Sequence, residues 1–193
     1  MTELLALMTI MFWAAIPLFW IPVHLATGFF RKLGLFTYGM PFIVWVPAVY
    51  MIYHYRFFLL QFKVQLPEIL KATGIPLFLS GSLLHIWTAV LLGGLGIIGV
   101  PEISSKVKSS LMTKGPFSII RHPTYLAHTL IFSGVFFMTQ EVVVGIIALL
   151  DFIVVNSVII PLEERELINR FGELYREYMR QVPRRLFPWW DRK

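Results

Sequence analysis

Uncharged, apolar stretches recur along this chain at the length of a bilayer crossing. Twenty-seven residues separate Glu3 from Arg31, 23 separate Lys32 from Arg56, and 30 separate Lys71 from Glu102. Nineteen separate Arg121 from Glu141, and 21 separate Glu141 from Glu163, with only Asp151 intervening. A helix needs about 20 apolar residues to cross the ~30 Å hydrocarbon core. The pattern predicts an all-α, polytopic integral membrane protein with five spans, at about 4–30, 35–55, 72–99, 123–139 and 142–161. The first stretch reads as a span and not as a signal peptide, because it is too long and has no basic leading segment. Pro17, Pro22, Pro41, Pro47 and Pro76 fall inside spans, where the missing N–H predicts kinks. The short turn around Gln140 and Glu141 makes the last two spans an antiparallel pair.

After Pro161 the rhythm changes. Leu167, Ile168, Phe171, Leu174, Tyr175, Tyr178, Met179 and Val182 recur with a 3.6-residue period, which predicts an amphipathic cytoplasmic helix. Glu163, Glu164 and Glu166 fall at its start and Arg176 and Arg180 near its end, an order that suits the helix dipole. Pro183 stops it. Arg184, Arg185, Phe187, Trp189 and Trp190 follow, a basic and aromatic mixture suited to the headgroup level. The apolar face needs a partner, and the loop at 102–121 is the cytoplasmic surface available to it.

Composition agrees. Of 193 residues 57% are hydrophobic and 15% charged, against roughly 45–50% and 25% in soluble domains. So few charges cannot clothe a soluble domain of this length, which is one domain, 1–193. There is no cysteine, which removes disulfides and thiolate sites. The net charge of +6 is placed by topology. With five spans and an inside C-terminus, 14 of the 17 Lys and Arg fall on the cytoplasmic side, Lys106 and Lys108 among them. The positive-inside rule then puts the N-terminus outside. The basic charge faces anionic lipid, and nucleic acid is not expected as a partner.

Several candidate constellations carry little. Gly94, Gly96 and Gly99 match a dinucleotide-loop spacing but end a span instead of opening a helix after a strand, so helix packing or fraying is the better reading. Asp151 and Asn156 lie in the last span, where polar groups face a partner or a cavity. His24, His54 and His85 sit on different spans without ligand spacing, and no metal site is expected. The run LMTKGPFSIIRHPTY, Leu111 to Tyr125, is denser. Pro123 suits a first helical turn. The free N–H groups there, with Arg121 and His122, suit an anion or carboxylate, although a capped helix with an interfacial belt would look the same.

This run resembles the cofactor motif of the isoprenylcysteine carboxyl methyltransferases and the related phospholipid methyltransferases. EERELINRFGELYREYMRQVPRRLFP, from Glu163, is similar to that family's C-terminal signature. The two cover about the last ninety residues. The resemblance implies S-adenosylmethionine, with S-adenosylhomocysteine as product, held in a cytoplasmic region of 102–122 plus 162–193. It implies cofactor contacts from Leu111, Met112, Phe117, His122, Pro123, Tyr125 and Glu163. Phe117 stands where the family usually has Tyr. Ile159 stands where eukaryotic members have a substrate-binding Arg. A carboxylate acceptor, on a prenylated cysteine or similar lipidated small molecule or protein C-terminus entering from the bilayer, would then rely on Arg121, Asn156 or free N–H groups. The alternatives are a lipid-amine methyltransferase, for which Glu163, Glu164 or Asp151 would serve as base, and a related reductase using a nicotinamide cofactor or a non-catalytic membrane protein.

Overall fold

A computed structural model describes residues 2–103 and 110–187. Lys106, Lys108, Trp189 and Trp190 lie outside the described residues, so their expected roles are not addressed below. Helices make up nearly all the regular structure of the described residues, joined by loops and one isolated antiparallel bridge between Lys63 and Glu141. The helices are α1 (Thr2–Trp13), α2 (Ala15–Leu25), α3 (Thr27–Leu33), α4 (Gly39–His54), α5 (Arg56–Leu59), α6 (Glu68–Ile97), α7 (Val100–Ile103), α8 (Pro123–Thr139), α9 (Val142–Val154), α10 (Ile160–Phe171) and α11 (Glu173–Gln181). A π-helical turn at Val155–Ile159 joins α9 to α10 without a break.

Four helical stretches are long and apolar enough to cross a bilayer: Thr2–Leu25, Thr27–His54, Glu68–Ile97 and Val142–Phe171. The fifth expected span coincides with α8, whose 17 residues fall short of that length. The exterior is apolar. Helix α4 has no buried residue, and Phe42, Ile43, Val44 and Val46 are exposed along it. Hydrocarbon can cover such a surface at no cost, whereas water could not.

The first two stretches are interrupted where prolines remove helical donors. The α1–α2 junction at Ala14 precedes Pro17, and the α2–α3 junction at Ala26 follows Pro22. In α6, however, the break comes at Gly93 (φ 72°, ψ 165°) and not at Pro76. A backbone in that region suits glycine and resists other L-residues.

Helix α8 lies in the middle and packs most extensively on α6, then on α9 and α1. The α6–α8 crossing is close because three glycines line it. A Cβ at Gly81 would sit 2.8 Å from the Ala127 carbonyl oxygen. One at Gly134 would sit 2.5 Å from the Phe78 nitrogen and 2.8 Å from the Gly74 carbonyl oxygen. Small residues at such crossings let backbones approach where lipid supplies no hydrophobic drive.

The C-terminal region differs from the pattern's expectation in two ways. Glu163, Glu164 and Glu166 do not open a separate helix, because the π-helical turn carries α9 straight on into α10. The amphipathic helix is also divided at Gly172 (φ 58°), which turns α11 against the 111–117 segment. Its apolar face has the expected partner: Tyr175, Tyr178 and Val182 bury together with Leu111, Leu167 and Phe171.

Because the atoms opposing Gly134 are backbone, Gly134→Ala should lower stability by about 1–3 kcal/mol. Gly28→Ala, with nothing within 4 Å, should be nearly neutral. Thermal unfolding of the detergent-solubilised variants checks both.

Candidate functional site

The Arg121–His122 pair ends the motif loop at the mouth of α8, with Pro123 as first helical residue. Its backbone is tied down from the far end of the chain. Arg121 N donates to the Arg184 carbonyl and His122 N to the Arg185 carbonyl, each at 2.9 Å. Leu186 is buried against Tyr125, Val155, Ile159 and Ile160, and Phe187 rests near Phe152. Residues 182–187 therefore form a strap across the motif. Arg184 and Arg185 thus hold the motif by their carbonyls, and the Arg185 side chain, expected at the headgroup level, turns to Glu164 instead.

At the centre is Glu164, buried on α10. Arg121 Nε donates to its Oε1 at 2.9 Å and a terminal nitrogen of Arg121 lies 2.8 Å from the same oxygen. Arg185 donates to Oε2 at 2.6 Å. The remaining terminal nitrogen of Arg121 donates to the Val182 carbonyl at 2.7 Å. His122 lies between two carboxylates, Nε2 3.3 Å from Glu164 Oε1 and Nδ1 3.6 Å from Glu163 Oε2. Burial opposes the imidazolium, but the hydrogen bonds and charge of Glu163 and Glu164 outweigh it, so the His122 pKa lies above its ordinary value. Burial also opposes Glu164 ionisation, yet His122 and Arg121 pull its pKa down to about 2.

Beside this network lies a cavity of about 780 Å³. Leu111, Met112, Phe117, His122, Tyr125 and Glu163 all line it, so the structure gathers six of the seven expected cofactor contacts on one cavity. Pro123 does not line it but starts the helix that presents His122 and Tyr125. Arg121 reaches the wall. Glu164 does not, and its oxygens are taken. Asn156 donates to the Phe152 carbonyl at 2.8 Å, away from the cavity. Asp151 accepts from Trp13 Nε1 at 3.1 Å, likewise outside it. Ile159 is fully buried in the apolar cluster with Tyr125.

Glu163 Oε2 and the Tyr175 hydroxyl are among the buried polar atoms of the lining residues that make no hydrogen bond, as are Nδ1 of His85 and of His128. Tyr178, by contrast, donates to the Phe117 carbonyl at 2.6 Å. Burial, then the charges of Glu164 and Glu163, raise the Tyr175 pKa and keep its phenol protonated. A carboxylate acceptor and a phenol donor thus face a slot walled by Leu111, Phe117, Leu167 and Phe171. That set fits an adenosyl amino acid, whose diol, amine and carboxylate need such groups and whose base needs an apolar slot.

Some wall residues were not legible as site residues. Tyr175 and Tyr178 read only as an apolar face. His128 carried no signal, and His85 read as a scattered histidine although it lines the cavity. Gly93 to Ile98 form another wall, so the Gly94–Gly96 stretch is a frayed helix end with a place in the site. Among the described residues no group of three or more His, Asp or Glu could hold a metal ion.

An all-helical chain with four bilayer-length helices and this site falls in a membrane methyltransferase superfamily. Within it, the chain belongs to the phospholipid methyltransferase family, whose model matches residues 69–174, from α6 to the start of α11. Over 108 residues it is 32% identical to the cobalt-zinc-cadmium resistance protein CzcN of Cupriavidus metallidurans. It is 28% identical to the nickel-cobalt-cadmium resistance protein NccN of Alcaligenes xylosoxydans xylosoxydans over the same length. Each match covers 50% of this chain and 50% of the relative, so the chain spans about half the length of the curated relatives it matches. No solved structure matches it.

Stability should vary with pH at both ends. Glu164 ionises far below its ordinary 4.5, so its contribution is present above pH 4.5 and is lost as pH falls toward about 2. His122 has a raised pKa, so its contribution is complete below its ordinary 6.5 and is lost as pH rises through the folded value. Glu164→Gln should remove the acid limb and cost roughly 3 kcal/mol or more, because two guanidinium groups lose their counter-charge. Thermal unfolding from pH 3 to 9 measures both.

Proposed function

We propose that this chain is an S-adenosylmethionine-dependent methyltransferase acting at the membrane surface on a lipid-borne acceptor. The observation that carries this reading is one cavity on which the motif residues meet Glu163 Oε2 and the Tyr175 hydroxyl, neither of which makes a hydrogen bond. Glu163 would take the ribose diol. Phe117, Leu167 and Phe171 would wall the base, and backbone near Leu111 and Met112 would hold the adenosyl part. His122 and Tyr125 would line the methionyl end. When bound, the cofactor supplies an electrophilic methyl group on a sulfonium. The protein's part is to hold the acceptor in line, exclude water and receive any proton released.

The acceptor reading turns on Arg121. A prenylcysteine carboxylate is already ionised near neutral pH and needs a donor more than a base. The guanidinium best placed for it is occupied by Glu164 and Val182, Arg170 is paired with Glu166, and Ile159 is closed into the core. These occupied cations favour the lipid-amine reading over the carboxylate one. For topology we propose five crossings, with α8 as a short span shielded by α6, α9 and α1, the cofactor side cytoplasmic and the N-terminus outside.

S-adenosylhomocysteine should raise the melting temperature of the detergent-solubilised chain, by about 2.7 kcal/mol of stabilisation at one hundred times its Kd. Glu163→Gln should weaken that shift without unfolding the protein. A shift from a nicotinamide dinucleotide, with none from S-adenosylhomocysteine, would exchange this reading for a reductase. Methyl transfer to N-acetyl-farnesylcysteine exceeding that to phosphatidylethanolamine would restore the carboxylate acceptor.

A further inference from the structure

The cavity continues past the cofactor candidates to a second pair of titratable side chains. His122, at the mouth of α8, and Tyr125 and His128 on it follow at intervals of three and form one row along the helix. Their ring centroids are 5.9 Å apart from His122 to Tyr125 and 6.1 Å from Tyr125 to His128. His85 of α6 completes the row, its centroid 5.1 Å from that of His128. Both His85 and His128 line the cavity.

The meeting of these two rings is built by the backbone. His85 lies one turn beyond Gly81, and His128 follows Ala127, whose carbonyl oxygen would be 2.8 Å from a Cβ at Gly81. The close approach of α6 and α8 at Gly81 therefore sets the two imidazoles against each other. Their Nδ1 atoms are buried and have no hydrogen-bond partner. An unsatisfied buried nitrogen is costly enough to need a reason, and here two occur together. With Nδ1 enclosed, the Nε2 edge is the one left toward the cavity. His128 is the sixth residue of α8, on the order of 8 Å along it from Pro123, so it lies deeper than the motif.

Resting on the methyltransferase reading above, we propose that His85 and His128 form the acceptor end of this cavity, binding a lipid head whose nucleophile carries a removable proton, an N–H or O–H, and that His128 accepts that proton. The balance is simple. The nucleophile's lone pair forms the new bond to the methyl carbon, the carbon–sulfur bond breaks with its pair remaining on sulfur, and the proton of the nucleophile passes to a neutral imidazole nitrogen of His128. His85 orients the head and shares the charge. The other titratable or charged groups lining the cavity are Tyr125 on α8, Arg121 and His122 just before it, Glu163 and Arg170 on α10, and Tyr175 and Tyr178 on α11. None duplicates the role: Glu163 and His122 face each other, Arg170 is paired with Glu166, and Tyr175 stays protonated.

The test uses the full chain in nanodiscs with S-adenosylhomocysteine or labelled S-adenosylmethionine. Phosphatidylethanolamine and hexadecanol supply removable protons, and phosphatidylcholine serves as the same lipid class without an N–H. The His128 ring ¹⁵N signals, assigned by their loss in His128→Gln, should move with either proton-bearing probe and stay fixed with phosphatidylcholine. Methyl transfer to the responding probe should fall about 100-fold or more in His128→Gln, chiefly in kcat. His85→Gln should raise KM more than it lowers kcat. Both variants should keep the wild-type S-adenosylhomocysteine melting shift, which reports an intact fold and cofactor site. The inference is overturned if the ring signals ignore both proton-bearing probes or respond equally to phosphatidylcholine. It is also overturned if His128→Gln retains wild-type transfer, or if Zn²⁺ alone moves the signals and the lipids do not. Loss of the melting shift in the wild type itself would instead remove the cofactor reading beneath it.

Discussion

A carboxylate with no direct access to water has to be paired completely or not at all, and Glu164 imposes that condition on this protein. Arg121 comes from the loop before α8, Arg185 from the strap, and His122 from the first turn's edge. Removing any one leaves a charge in a low-dielectric place, where the cost of a missing partner exceeds the net worth of the pair. The strap, the motif loop and α10 are therefore obliged to assemble together. The cavity wall inherits that rigidity, because His122, Tyr125 and Glu163 are neighbours of the residues in the grip. The network holds the site in shape, with Arg121 and His122 reaching the cavity wall and Glu164 set back behind them.

The rest of the molecule places polar groups inside and apolar groups outside, as a lipid solvent demands. Apolar bulk on α4 faces outward, and the buried set includes Arg121, His122, Glu164 and Glu166. Where helices must touch closely, glycine takes over from shape-matched side chains. The crossing at Gly74, Gly81 and Gly134 is the main joint of the bundle. The same joint decides how near the imidazoles of His85 and His128 come. Packing and site chemistry are thus linked through one pair of helices.

What the sequence made legible followed from signals that repeat. The span lengths, the antiparallel turn at Gln140 and the apolar rhythm from Leu167 to Val182 are periodic and survive as helices. The motif at Leu111–Tyr125 is local, so its resemblance to the family's cofactor motif could be carried over residue by residue. What was not legible depended on distance. Nothing near Arg185 announces that it will meet Glu164, and a basic residue beside tryptophans reads just as well as a lipid anchor. His85 and His128 are 43 positions apart in the sequence and are joined only by a glycine crossing. The break in α6 fell at Gly93 because a positive φ outweighs the proline-kink rule. The reading of Glu163 and Glu164 as a helix start failed because the π-helical turn carries α9 straight on into α10.

The order in which the chain emerges gives the Arg121 contacts a history. Arg121 is made 43 residues before Glu164 and 61 before Val182. During that interval it is an unpaired guanidinium at the mouth of α8. Drawing such a charge into hydrocarbon costs several kcal/mol, so at this stage it favours keeping the mouth of α8 on the polar side of a lipid boundary. Only when α10 and the strap arrive does the same group leave water, now as a neutralised partner. Insertion and closure become two successive uses of one side chain, which lets a defect in the second leave a protein correctly threaded through the membrane but open at its site.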